Sequence, residues 1–161
     1  MQRFVLMLSF GFFCFMTQPA FAETLYKTYS NKRFEYSISY PKDILYPQGE
    51  AANGDGQKFL SKEGDASLLV YGSHNFNDQT LEQRYQEESR GTTAENQTKL
   101  VTYRVLKENW FVISGYVLGK IFYQKTILNN NQFKTFYFEY PETKKKLYDP
   151  IVKQLSTSFK G

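Results

Sequence analysis

The chain has 161 residues, 41% of them hydrophobic and 18% aromatic, with 20 Lys and Arg against 16 Asp and Glu, one cysteine and one histidine. That length fits a single domain able to bury roughly two-thirds of its unfolded surface. The small positive excess is far from a nucleic-acid footprint, and one cysteine with one histidine excludes both a disulfide framework and a zinc centre built on those ligands.

Residues 1–22 read as a secretory signal peptide. Arg3 supplies the positive start, residues 4–16 form an uncharged apolar run, and Ala20-Phe21-Ala22 has the small-x-small spacing of a cleavage site. The run is shorter than the roughly 20 apolar residues of a membrane span. Cys14 sits within it, but Phe13 is not the small residue that lipoprotein processing needs before its cysteine. Cleavage leaves residues 23–161 as one domain without cysteine and with a net charge of about +3, since Arg3 is the only charge removed. The expected location is periplasmic, with export beyond the cell as the alternative.

The mature part opens with a strand over 25–29, a turn, and a strand over 34–40. There Phe34, Tyr36, Ile38 and Tyr40 share one face and Glu35, Ser37 and Ser39 the other. That period of two predicts a half-buried strand near a sheet edge, stopped by Pro41. Residues 48–57 carry three glycines and an Asn-Gly, Asp-Gly succession, and read as the densest turn region. A hairpin follows, with strands over 58–61 and 66–71.

A helix is predicted from Asp78 or Thr80 to Arg90, because Thr80-Leu81-Glu82-Gln83 has capping-box spacing. Only Leu81 and Tyr85 give it an apolar stripe, so it should lie as a lid. Residues 91–96 read as a polar loop, and Asn96-Gln97-Thr98 is formally a glycosylation acceptor.

Four strand-like runs then follow over 99–107, 110–116, 120–128 and 133–140, separated by short turns; they predict an antiparallel meander. Both faces of the last three are apolar: Trp110 and Val112 oppose Phe111 and Ile113, Ile121 and Tyr123 oppose Phe122, and Phe136 and Phe138 oppose Tyr137. A strand wet on one side would alternate with polar residues, so the sheet should be covered on both faces. Residues 142–148 read as a short basic connector. Asp149-Pro150 reads as the cap and first position of a final helix with Ile151, Leu155 and Phe159 on one stripe. The fold class is thus α+β, an antiparallel sheet of six to seven strands with a helix over each face.

The string Phe34-Glu35-Tyr36-Ser37-Ile38-Ser39-Tyr40-Pro41, followed in order by a hairpin, a helix, a meander and a helix ending in Ser158-Phe159, resembles PsbP-like/Mog1-like α/β/α sandwich domains. The loop from Pro47 through Gln57 resembles a group of small exported bacterial proteins. The likeness implies an accessory or partner-binding module, and no family ligand residue can be matched here one by one.

Three features bear on function. His74, the single histidine, would need a nucleophile and an orienting carboxylate, such as Asp55, Asp65 or Asp78, to act as a base. In the loop carrying Glu50, Asn53, Asp55 and Gln57, the Asn53-x-Asp55-Gly56 fragment looks like part of a calcium loop. The match fails at Ala51 and Lys62, so no metal or cofactor is expected. Lys144, Lys145 and Lys146 form a basic run suited to an acidic partner or a lipid surface. The resulting expectation is an exported, non-enzymatic binding module contacting an envelope protein through these residues. The alternatives are an envelope hydrolase using His74 and a binder of anionic surfaces or small apolar ligands.

Overall fold

The computed structural model describes residues 24–161 apart from 95–96. The signal peptide, Cys14 and the acceptor Asn96 lie outside the described residues. Strands β1 (Tyr26–Asn31) and β2 (Tyr36–Pro41) form a two-stranded antiparallel sheet of their own. The main antiparallel sheet contains β3 (Leu45–Glu50), β4 (Gly56–Ser61), β5 (Ser67–His74), β6 (Thr92–Ala94), β7 (Gln97–Leu106), β8 (Trp110–Val117), β9 (Lys120–Asn129) and β10 (Gln132–Pro141). Its order is β3-β4-β5-β10-β9-β8-β7-β6, which places the meander β7–β10 as one contiguous block and the β3–β5 hairpins as another. Helices α1 (Leu81–Ser89) and α2 (Lys145–Ser158) complete the fold. Among the described residues no helix is long and apolar enough to cross a membrane.

The meander and its two apolar faces are as the sequence predicts. Phe136, Phe138, Tyr140, Ile121 and Ile127 enter one core, while Phe111, Ile113, Phe122 and Phe133 enter the other. Asn130 and Asn131, both with φ near +54°, make the tight β9–β10 turn that asparagine tolerates.

The strand over 34–40 is corrected. Its apolar face is buried as the period of two requires, yet it pairs only with β1 and, at Ser37, with Lys160 near the C-terminus. It lies over the main sheet rather than at its edge, because four large apolar side chains are better dried by a sheet face than by a rim position. Gly72 makes this possible: a Cβ there would stand 2.2 Å from the Phe34 ring.

Three further expectations shift. Residues 45–50 form β3, so the turn region contracts to residues 51–55. A short strand, β6, stands where a polar loop is expected, and the main sheet therefore has eight strands rather than six or seven. The final helix begins at Lys145 after a 3-10 turn over Glu142–Lys144, leaving Pro150 inside it at the cost of one backbone bond. The earlier start buries Tyr148 against Phe138 and Tyr140, and Asp149 accepts a hydrogen bond from Tyr140 Oη at 2.8 Å instead of capping the helix.

The two helices are unequally anchored. Helix α2 buries Tyr148, Ile151 and Leu155, followed by Phe159, each worth about 1.5–3 kcal/mol on burial. Helix α1 buries Leu81 alone among large apolar residues, with Tyr85 edge-on to Phe111. Nine residues are too few for a helix to stand unaided. The Thr80/Gln83 capping box, present in full, and the reach of Gln124 to Glu88 therefore carry much of its stability. Helix α1 packs on β7 and β8 and extends Arg84 over the Phe133 ring. It leaves β3–β5 outside its cover.

Lys134 on β10 is 1% exposed, with the final glycine against its methylenes. Burial pushes its ammonium pKa down, opposed by Glu35. The folded chain therefore holds this proton less tightly than the unfolded one, and stability contributed here is absent at neutral pH and gained as pH rises toward the lysine range near ~10.4. Lys134→Met should leave stability at pH 7 unchanged or raised by about 1 kcal/mol, and should abolish the extra alkaline gain of the native chain relative to the variant. Urea melts at pH 7 and 9.5 test this; a variant less stable at pH 7 would show that the ammonium is favourably bound.

Candidate functional site

The residues proposed from the loop are brought together, but engaged by β1–β2 and the turn between them. Glu50 accepts from the Tyr29 hydroxyl at 2.8 Å and from Asn31 Nδ2 at 2.9 Å. The Asn31 amide also donates to the Gly54 carbonyl at 3.0 Å, and Asn31 Oδ1 accepts from the Phe34 N–H at 2.9 Å. Arg33 donates to the Asn53 carbonyl, and the Tyr36 hydroxyl donates to the Asp55 carbonyl at 2.9 Å. Asn53 Nδ2 closes on the Asp55 carboxylate at 2.6 Å. Burial, and then Tyr29, push the Tyr36 hydroxyl far above its usual range, so it stays a donor at all ordinary pH. The loop is thereby fastened to β1–β2 through groups that the sequence alone presents as free ligands. Gln57 stands half-buried within β4, opposite Glu50 and Val70.

His74 ends β5 and is exposed, its ring 5.0 Å from Phe34 and 5.5 Å from Phe76. No carboxylate hydrogen-bonds to it among the described residues. Asp65 lies before the opposite end of β5, and Asp78 accepts from Asn131. A hydrolase built on His74 would have to assemble its other groups around an open aromatic surface.

The lysine run is divided. Lys144 pairs with Glu63 and, at 2.8 Å, with Asp65. Lys145 lies 3.9 Å from Asp149, while Lys146 is exposed and forms no ion pair among the described residues. Desolvation pushes the Asp65 carboxyl up, but Lys144, the Ser61 hydroxyl at 2.6 Å and the Tyr148 hydroxyl at 3.2 Å together outweigh it and hold the pKa at about 2. This cluster ties the β4–β5 turn to the start of α2.

A surface that sequence reasoning missed lies on the face of β3–β5 beyond the end of α1. Register places Tyr46 opposite Leu60, Lys58 opposite Leu69, and Leu69 opposite Tyr137, so these side chains share one face. Tyr46 is 42% and Leu69 40% exposed, and Leu60, Tyr71 and Tyr137 are half-buried. Two concavities open there. One of about 610 Å³ runs from Tyr46 and Leu60 to the Lys62–Gly64 turn, and one of about 260 Å³ lies between Gln48, Asp55, Lys58, Leu69 and Tyr71. Gly56 keeps the floor flat, since a Cβ there would stand 2.0 Å from the Val70 carbonyl oxygen. Apolar positions at 46, 60 and 69 were visible in the sequence, but their common face required the register of a strand not foreseen.

Two variants test the internal roles. Asn31→Ala removes four hydrogen bonds from a residue 5% exposed and should cost about 2 kcal/mol in urea denaturation, with faster amide exchange at residues 51–55. Asp65→Asn should cost about 1 kcal/mol at pH 7, allowing for solvent screening. Because the folded carboxyl titrates near 2 and the unfolded one near ~3.9, the native chain's advantage is whole above pH 5 and fades as pH falls through 2. Melting the pair between pH 7 and pH 2 measures it, and an unchanged difference would remove Asp65 from this role.

No protein-family model matches the chain, and no curated protein is similar to it by sequence. Its coordinates are similar to the solution structure of cyanobacterial PsbP (CyanoP) from Synechocystis sp. PCC 6803, with a TM-score of 0.59 and 15% identity, covering 89% of this chain and 96% of that one. At that identity the likeness speaks to architecture: the chain has the PsbP-like α+β fold.

Proposed function

We propose that the chain is an exported, periplasmic, non-enzymatic accessory module that binds a protein of the cell envelope through the open face of β3–β5. The observation that carries this reading is the half-covered sheet: Tyr46 and Leu69 stand exposed on one face, with Leu60 and Tyr71 half-buried beside them. Aromatic and leucine side chains around shallow concavities, set on rigid strands with Lys58 among them and Lys62 and Glu63 at the rim, have the make-up of a protein contact surface. The PsbP-like fold is compatible with an accessory role. The signal-like sequence over residues 1–22 supports export, and the loop and lysine residues first considered for contact support the frame of the surface rather than its centre.

The test is affinity capture of the tagged protein from the envelope of its source cell, run beside Leu69→Asp. Leu69 is 40% exposed on an interior strand, so the variant should lose about 1–2 kcal/mol and remain folded, which a urea melt checks beside the capture. A protein retained through a salt wash by the native chain should fall at least about tenfold with the variant, which corresponds to about 1.4 kcal/mol. Equal retention by both chains would refute this face as the contact surface.

A further inference from the structure

A separate concavity lies on the other half of the molecule, where the last turn of α1 meets β7. It holds about 290 Å³ and is lined by Tyr85, Gln86, Ser89, Arg90 and Arg104. That volume is near the lower edge of small-molecule sites, ~300–1,000 Å³. No carboxylate belongs to its lining among the described residues. The acidic neighbours on the helix are turned to other partners, Glu87 to Gln79 at 3.0 Å and Glu88 to Arg84 and Gln124.

The site collects donors with little to receive them. Arg104 spends one N–H on the Ser89 carbonyl at 2.9 Å, which also offsets the negative end of the helix dipole that would otherwise repel an anion. A guanidinium carries five N–H donors, so most of its capacity remains. Arg90 is exposed and makes no ion pair among the described residues. Ser89 is 6% exposed, and its buried hydroxyl has no hydrogen-bond partner among the described residues. A buried hydroxyl without a partner costs about 1–3 kcal/mol, and native structures hold few of them. The Tyr85 ring adds an apolar wall packed on Phe111.

We infer that Arg90 and Arg104 form a binding site for a small phosphate-bearing ligand, the two guanidinium groups taking the phosphoryl oxygens and Gln86, with the Ser89 hydroxyl once it turns toward the cavity, completing the hydrogen bonds, and with Tyr85 beside any organic substituent. Guanidinium forks match phosphoryl oxygens in pairs, which a chloride ion cannot exploit. The site is separate from the β3–β5 face and stands or falls independently of it.

The probes are inorganic phosphate and phenyl phosphate, titrated against amide and Arg Nε resonances with chloride at matched ionic strength as the control. Saturable shifts centred on residues 86–90 and 104, absent with chloride, are expected; tighter binding of phenyl phosphate would identify an ester as the ligand, and equal binding would identify free phosphate. Arg90→Gln, at a side chain without an ion-pair partner, should fold normally and weaken phosphate at least about tenfold. Ser89→Ala should weaken it as well while leaving the melting temperature unchanged or raised, a pairing that a purely structural serine would not give. Lys146→Gln should change nothing. Shifts spread over the surface lysines, loss of binding in Lys146→Gln, or no saturable shift would overturn the site.

Discussion

The structure depends on a shortage of cover. Strands β8, β9 and β10 place large apolar side chains on both faces, Phe136 and Phe138 toward one side and Phe111, Ile113 and Phe122 toward the other. Leaving either face in water would forfeit on the order of 2 kcal/mol for each such residue. The chain assigns its two best covers, the β1–β2 hairpin and the fourteen-residue α2, to the same side. What remains for the other side is a nine-residue helix, which packs on β7 and β8 and extends Arg84 over Phe133 of β10. The open half of the sheet is a consequence of that allocation.

The allocation also explains why polar groups lie under α1. Thr126 and Thr135, both nearly inaccessible, share a hydrogen bond at 3.0 Å; Gln124 joins them and reaches Glu88 on the helix. A helix with one buried leucine gains little from apolar contact, so directed hydrogen bonds set its position. Tyr71 stands where covered sheet meets open sheet. Burial, and behind it the charge of Glu88, push its hydroxyl pKa up. On the opposite face the contacts are dense and apolar, and the polar network there is moved outward to the rim, where Asn31, Tyr29 and Tyr36 hold the 51–55 loop.

Much of this was legible in the sequence because it depends on local rules. The Thr80/Gln83 capping box needs only a spacing of three, and the two apolar faces of the meander need only the alternation of side chains. What was not legible depends on partners. A period of two shows that Phe34, Tyr36, Ile38 and Tyr40 share a face but not which layer receives it. Pro47 and Gly49 read as chain breakers, yet both sit in β3, where the register shifts between Pro47 and Glu50. Asp149-Pro150 looks like a helix start, and the burial of Tyr148 overrides it. The candidate site followed the same pattern: Glu50, Asn53 and Asp55 look like free surface ligands because residues 29–36, which occupy them, are distant in sequence.

An open apolar sheet face at the end of a sheet invites a question of solubility, since an edge strand with free backbone groups can template further pairing. Strand β3 answers it in its own composition. Pro47 lacks a donor, the bulge between Pro47 and Glu50 breaks the flatness of the rim, and Gly49 at φ +98° adopts a conformation that a continuing ladder would not accept. Edge-to-edge growth is therefore obstructed along β3. The broad face carrying Tyr46, Leu60 and Leu69 is not protected in the same way: Lys58 is a charge set within it, and no strand or helix crosses it. The surface is thus closed to strand addition along β3 while its broad face stays open to solvent.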